Sequence, residues 1–452
     1  MKFIAQITNT IRKIDLPLTQ IILGVVFIFS GFSKIIDPYG SFYKMVDYFR
    51  EFGLSDLNQI LPIFSVFLPA IELTLGLNAL LGINRKSTSR LLFIFMLGMT
   101  PFTLYILIYN PVSDCGCFGD LIKISNLSTF VKNVILLVLS FHFLRHRKRA
   151  YTVYSYGLQW FVESYVFLFS MIIGWFAWNY LPIIETLPFK VGTDIVKAME
   201  IPEGAKQDVY ETTLIYKKDD IEKEFTLDNY PANDTTWVFV DSKSKLVEKG
   251  FQPQIAPFSI YDNNGTELTD SILHSSQYTF LLTVPRFSWA NEKYIYRVND
   301  LYDFCLANKY GFFCITSSSQ EEIDEWKEGT GADYPILTAD ETTIKSMVRS
   351  VPGLLLLKEG VIINKWSSVT IPDETTLESD LASLPAIVNP PDRTTRRMMA
   401  FILLLTVPLL IMLLAEKTVL LILRRIRLFK QLETREEDLN GIDTESPESP
   451  IG

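Results

Sequence analysis

Residues 91–120 read LLFIFMLGMTPFTLYILIYNPVSDCGCFGD. The part up to residue 109 carries no charge and is mostly apolar, and as a helix it is long enough to cross a hydrocarbon core about 30 Å thick. Asn110-Pro111 then breaks the helix, because proline disfavours the helical conformation in the residue before it. Cys115, Gly116 and Cys117 follow at once. A membrane span thus delivers two thiols, one residue apart, to a surface of the bilayer.

Five further runs of this kind lie outward from that stretch. They cover about residues 16–36, 61–81, 130–144, 157–181 and 398–423. Their presence explains a mean hydropathy of +0.20 in a chain that is 21% charged. The 452 residues carry a net charge of −9, which argues against a nucleic-acid partner, since that requires a basic face. Four cysteines make no disulfide scaffold. The three histidines (His142, His146, His274) show no zinc-type spacing with them, so no metal is expected.

Basic residues orient the spans. Lys2, Arg12 and Lys13 precede the first. Arg85, Lys86 and Arg90 follow the second. Arg145, Arg147, Lys148 and Arg149 follow the fourth, and Arg424, Arg425, Arg427 and Lys430 follow the sixth. With six spans all four clusters share one side, the cytoplasm, and outnumber Arg393, Arg396 and Arg397 opposite. The first run has no cleavage pattern of a signal peptide. The Cys-Gly-Cys loop and the long region 182–396 then lie outside.

Two thiols one residue apart close a ring only with backbone distortion, which Gly116 is best suited to supply. A strained, accessible disulfide is the labile or catalytic kind. Asp114 and Asp120 would raise the thiol pKa, and Lys123 would lower it. Redox exchange, a static bridge and a metal site all remain open, although no further metal ligands lie nearby. Within the spans, Glu72 is the notable ionisable group. A carboxylate there is costly unless paired or neutral. It reads as a proton-accepting site beside the thiols or as the partner of Lys34. Gly24, Gly31 and Gly76 read as close helix packing.

GVVFIFSGFSKIIDP (24–38), Pro69-x-x-Glu72-x-x-x-Gly76 and the Asp114–Gly119 stretch DCGCFG together resemble the MauE family of DoxX-like membrane proteins, over about residues 15–145. That resemblance implies disulfide formation or electron transfer to exported proteins, with Cys115 and Cys117 as the redox pair. A quinone is the acceptor that a membrane site would admit, although no residue pattern demonstrates its binding.

From residue 278 strand and helix patterns alternate, which gives an α/β sheet. Strands are expected at 278–284, 312–316 and 334–338, helices at 292–310, 319–329, 341–349 and 373–384, and a hairpin across Lys358-Glu359-Gly360. The order resembles a thioredoxin fold over about 257–384, with Val351, Pro352 and Gly353 matching the cis-proline loop. That loop implies a groove where a partner chain docks by backbone pairing. The Cys-x-x-Cys of such folds is missing: its place reads PRFSWAN (285–291). Cys305 and Cys314 read as buried apolar thiols. Residues 183–256 form a small β-rich unit without an assigned role.

The expected architecture is therefore a membrane α-helical bundle of about six spans, with an inserted α/β thioredoxin-like domain. Residues 1–150 form a four-helix MauE-like unit, 151–182 a fifth span, 183–256 the β-rich unit and 257–396 the thioredoxin-like domain. Residues 397–430 form a sixth span, and 431–452 a disordered acidic cytoplasmic tail. The expected setting is a bacterial inner membrane with the large domain periplasmic. The expected partners are the lipid bilayer and an exported client or external thioredoxin-like protein. The leading function is thiol–disulfide exchange at Cys115 and Cys117. The competing one is a membrane scaffold that binds a partner through the degenerate thioredoxin-like domain.

Overall fold

A computed structural model describes residues 2–112, 115–206, 209–218, 221–226, 237–248, 250–373, 376, 381–384, 388 and 394–442. Asp114, Arg393, half of the helix expected at 373–384 and the tail from 443 lie outside them. The chain divides into two compact units, Met1–Thr186 with Pro391–Gly452, and Leu187–Pro390.

Among the described residues, six helices are long and apolar enough to cross a membrane, as a multi-pass membrane protein requires. The first unit begins with α1 (Lys2–Ile35), α2 (Pro38–Glu51), α3 (Leu61–Leu81), α4 (Arg85–Tyr109), α5 (Asn126–His146) and α6 (Tyr156–Tyr180). All of these but α2 are spans. The continuous apolar run of the fourth span is short in sequence, yet α5 reaches 21 residues, enough to cross. Leu23 and Phe27 of α1, Leu75 of α3, Met96 of α4 and Leu136 of α5 share one buried core. Gly31 and Gly76 let the backbones of α1 and α3 nearly touch. A Cβ at Gly31 would stand 2.4 Å from the Leu73 nitrogen, and one at Gly76 would stand 2.5 Å from the Ile28 nitrogen. This is the close packing of small residues that lipid-embedded helices use.

Helix α2 fills the short stretch between the first two spans, where the sequence reading assigned no element. Pro38 occupies the first turn, and the Asp37 carboxylate accepts from the Gly40 N–H at 3.2 Å, satisfying an end donor. Tyr39, Phe42, Tyr43 and Val46 recur at helical spacing and are all buried. Tyr39 stacks on Trp178 of α6 with centroids 4.1 Å apart.

The second unit contains α7 (Ile195–Met199) and a three-stranded antiparallel sheet of β1 (Val209–Lys218), β2 (Ile221–Thr226) and β3 (Val238–Glu248), in the order β2-β1-β3. Next come β4 (Ile260–Tyr261), α8 (Thr269–Leu273), β5 (Thr279–Val284), α9 (Ile295–Asn308), β6 (Gly311–Thr316) and α10 (Gln320–Thr330). β7 (Ile336–Ala339), α11 (Glu341–Met347), β8 (Gly353–Lys358) and β9 (Val361–Ser367) complete it. The larger sheet has the order β4-β7-β6-β5-β8-β9. β5, β6 and β7 are parallel, joined by the crossovers α9 and α10, and β8 and β9 are antiparallel additions. β5 is buried along its whole length, as the near-continuous apolar run 278–284 implies. The Ser319 hydroxyl and Glu322 carboxylate form a reciprocal cap on α10. The chain is thus a membrane helical bundle with an inserted α/β domain of thioredoxin-like topology.

The last helix, α12 (Thr394–Ile442), returns to the first unit. Phe401 packs with Ile36 and Phe169, and Leu409 with Val162 and Val166. The helix continues beyond Gln431, where the sequence reading places the start of a disordered tail.

Candidate functional site

Helix α4 ends at Asn110, which closes it in a left-handed conformation at φ 47°. The chain then turns back toward α5. Gly116 adopts φ +66°, a region that L side chains rarely enter, and the Gly119 N–H donates to the Gly116 carbonyl at 3.0 Å. This turn brings the sulfurs of Cys115 and Cys117 to 3.1 Å. Each cysteine is 8% exposed, packed with Tyr48 of α2 and Ile106 of α4. The Tyr48 hydroxyl donates to the Cys115 carbonyl at 3.1 Å.

The two thiols differ sharply. The hydrogen bond between them stabilises Cys117 as the thiolate and lowers its pKa to about 6; burial opposes this, and the ammonium groups of Lys132 and Lys34 assist it. The same hydrogen bond raises Cys115, with burial adding to the effect. Lys123, the cation the sequence reading expected to act here, is exposed, and Lys132 on α5 takes its place.

Cys117 lines a cavity of about 30 Å³ inside the helical unit. Lys34 and Glu72 line it too. The Lys34 Nζ lies 2.8 Å from both carboxylate oxygens of Glu72. The Ser30 hydroxyl is 2.7 Å from the Glu72 Oε2 and 2.7 Å from the Cys117 carbonyl, and it accepts from Lys34 at 3.2 Å. Four of the residues singled out in the sequence (Cys115, Cys117, Lys34 and Glu72) therefore meet in one place, and Ser30 links the ion pair to the thiol loop. Ser30, Tyr48, Lys132 and Asn133 were not anticipated. Ser30 stands one helical turn before Lys34, the spacing that puts both on one face of α1.

Val351, Pro352 and Gly353 lie in the second unit. The Val351–Pro352 bond is cis. All three residues are buried, and the Val351 carbonyl accepts from the Asn291 N–H at 2.9 Å. Docking of a chain here by pairing to that carbonyl would require this bond to open. Where a dithiol would stand, Arg286 pairs with Glu341 at 2.9 Å, Glu341 pairs with Lys345 at 2.7 Å, and Lys345 lies over the Trp289 ring. Cys305 and Cys314 are unbonded and buried.

Residues 12–145 match the model of the family described as methylamine utilisation protein MauE. Over that stretch the chain is MauE-like. The match covers the four spans of the MauE-like unit and the Cys-Gly-Cys loop, so the residues that quoted the resemblance are the ones inside it. Residues 210–249, the three-stranded sheet, match a domain of unknown function, DUF8463. No curated protein matches the chain. Among solved structures, a solution structure from Bacteroides thetaiotaomicron described as a candidate protein disulfide isomerase is 16% identical. It covers 32% of this chain and 92% of its own, with a TM-score of 0.23, and at that score it says nothing about function.

Proposed function

We propose that the protein is a membrane thiol–disulfide oxidoreductase whose Cys115 and Cys117 pass disulfides or electrons to and from exported partner proteins. The observation that carries this reading is the pair of sulfurs 3.1 Å apart across a glycine already bent to φ +66°, with one sulfur held toward the thiolate by the hydrogen bond from the other and, next, by neighbouring ammonium groups. A thiolate is the attacking species in exchange, and a low pKa makes it available at neutral pH. The basic clusters after spans two, four and six support an outer, periplasmic position for the loop in a bacterial inner membrane. Both cysteines are buried against Tyr48 of α2 and Ile106 of α4, so exchange with a protein requires this cover to open and expose Cys115. Glu72, whose charge acts on the Cys117 sulfur, serves as the group that takes up or returns the thiol proton, while Lys34 balances its charge.

Thiol trapping tests this reading. In the full-length protein, Cys115→Ser and Cys117→Ser variants should differ, one accumulating a mixed disulfide with an exported protein and the other not. A pair that stays reduced in cells, together with a Cys115→Ser protein that still supports client oxidation, would refute it. The second reading, a scaffold, is favoured by one observation: the absence of any cysteine at 285–291 in the thioredoxin-like unit. Under it, both cysteine variants retain full function.

A further inference from the structure

Exchange leaves open which small oxidant renews the disulfide, and the cavity beneath Cys117 restricts the choice. Its volume of about 30 Å³ holds one or two water-sized molecules. A six-membered quinone ring does not fit such a space, and neither does a peptide thiol. The walls are apolar rings and thioethers (Phe27, Phe95, Met96), with the polar groups Ser30, Lys34, Glu72, Lys132 and Asn133 among them. Lys34 is neutralised by Glu72. Lys132 has no carboxylate partner among the described residues and lies over the Phe118 ring at 4.3 Å. A cation with no carboxylate partner among the described residues, a cysteine lining a pocket of water size and a second thiol in reach together make a site for a small polar oxidant.

We propose that this pocket binds hydrogen peroxide, with Cys117 as the peroxide-reducing thiol and Cys115 as the thiol that resolves it. The inference rests on the reading of the pair as disulfide-forming, and it names the oxidant. The Cys117 thiolate attacks one peroxide oxygen and the O–O bond breaks. The leaving oxygen takes the proton that Cys117 had lost and departs as water, leaving Cys117 as a sulfenic acid. The Cys115 thiol then attacks the Cys117 sulfur. The S–O bond breaks, a second water leaves and the disulfide forms. Two thiols lose two electrons, and one peroxide gains them. Lys132 faces the developing negative charge on the departing oxygen. The separation of 3.1 Å lets the second step outrun further oxidation of Cys117.

The test uses the full-length protein in nanodiscs, reduced with a phosphine and freed of it, and then given hydrogen peroxide. Mass mapping of the loop peptide follows Cys115–Cys117 closure. Closure is expected about 30-fold faster than oxidation of free cysteine at neutral pH, the gain in thiolate fraction for a pKa near 6 against about 8.5. Cys115→Ser should stop at a sulfenic acid on Cys117, read as one added oxygen in the mass of the loop peptide, and Cys117→Ser should give none. Cumene hydroperoxide, too large for the pocket, should react no faster than with free cysteine. Wild-type closure at the free-cysteine rate, or equal rates with both peroxides, overturns the peroxide site. If the pair then closes with glutathione disulfide, the exchange function survives without it. Failure to close with any of the three reagents overturns both.

Discussion

Two pairs of cysteines, both buried, differ in what surrounds them. Cys305 and Cys314 sit in the hydrophobic interior of the α/β unit at 1% and 0% exposure. Burial alone pushes Cys305 up to about 12 and raises Cys314 as well. Cys115 and Cys117 are nearly as buried, yet a thiol–thiol hydrogen bond and two ammonium groups bring Cys117 down to about 6. The comparison separates two effects that sequence alone confounds. Burial makes a thiol inert, and reactivity comes from a hydrogen bond to the sulfur and charge placed beside it.

Four experiments break or sharpen that contrast. The largest effect belongs to Lys34→Met, which leaves the Glu72 carboxylate buried without a cation. It should cost about 3–5 kcal/mol, and Lys34→Met with Glu72→Met should recover most of it, read as thermal stability in detergent. Loss of stability below about 1 kcal/mol would show that water already solvates the carboxylate.

Next comes Cys314→Ser, which puts a hydroxyl in place of a fully buried thiol. A loss of about 1–3 kcal/mol is expected, with alkylation at Cys117 unchanged. The third is a pH profile. A group whose folded pKa is depressed is charged above that value, so iodoacetamide labelling of Cys117 should fall as pH drops through about 6, while Cys305 stays unlabelled at neutral pH. Lys132→Met should move that midpoint upward by about one unit, equivalent to about 1.4 kcal/mol. The smallest is Gly116→Ala, which forces a Cβ into φ +66° against the Lys44 side chain 3.2 Å away. A cost of about 1 kcal/mol is expected, with slower disulfide closure measured by thiol titration.

Much of this was legible in the chain. The spans were, because about 20 apolar residues in a row have few other uses. The Cys-Gly-Cys loop was, because glycine between two thiols is a specific demand on the backbone. The strands of the larger sheet were, from their continuous apolar runs, although their order required the pairing itself. Helix α2 was missed, although Tyr39, Phe42, Tyr43 and Val46 repeat at helical spacing. Its polar face lowers its mean hydropathy, and a search for spans passes over it. Lys132 was missed for a different reason. A lysine near the start of a span reads as snorkelling toward the surface, and only the fold of the 110–125 loop shows that a sulfur lies there. The Lys34–Glu72 pairing stood as one of two readings, since two helices must meet before a charge finds its partner.

Ser30 has one hydrogen and two oxygens waiting for it, each 2.7 Å away. It cannot serve both. While Glu72 is ionised, the carboxylate is the stronger acceptor and the Cys117 carbonyl goes without. Once Glu72 is protonated, the carboxyl carries its own hydrogen, and the serine is released to the carbonyl. One hydroxyl thus works as a toggle, so the charge state of a group deep in the bundle is written directly onto the backbone that carries the sulfur.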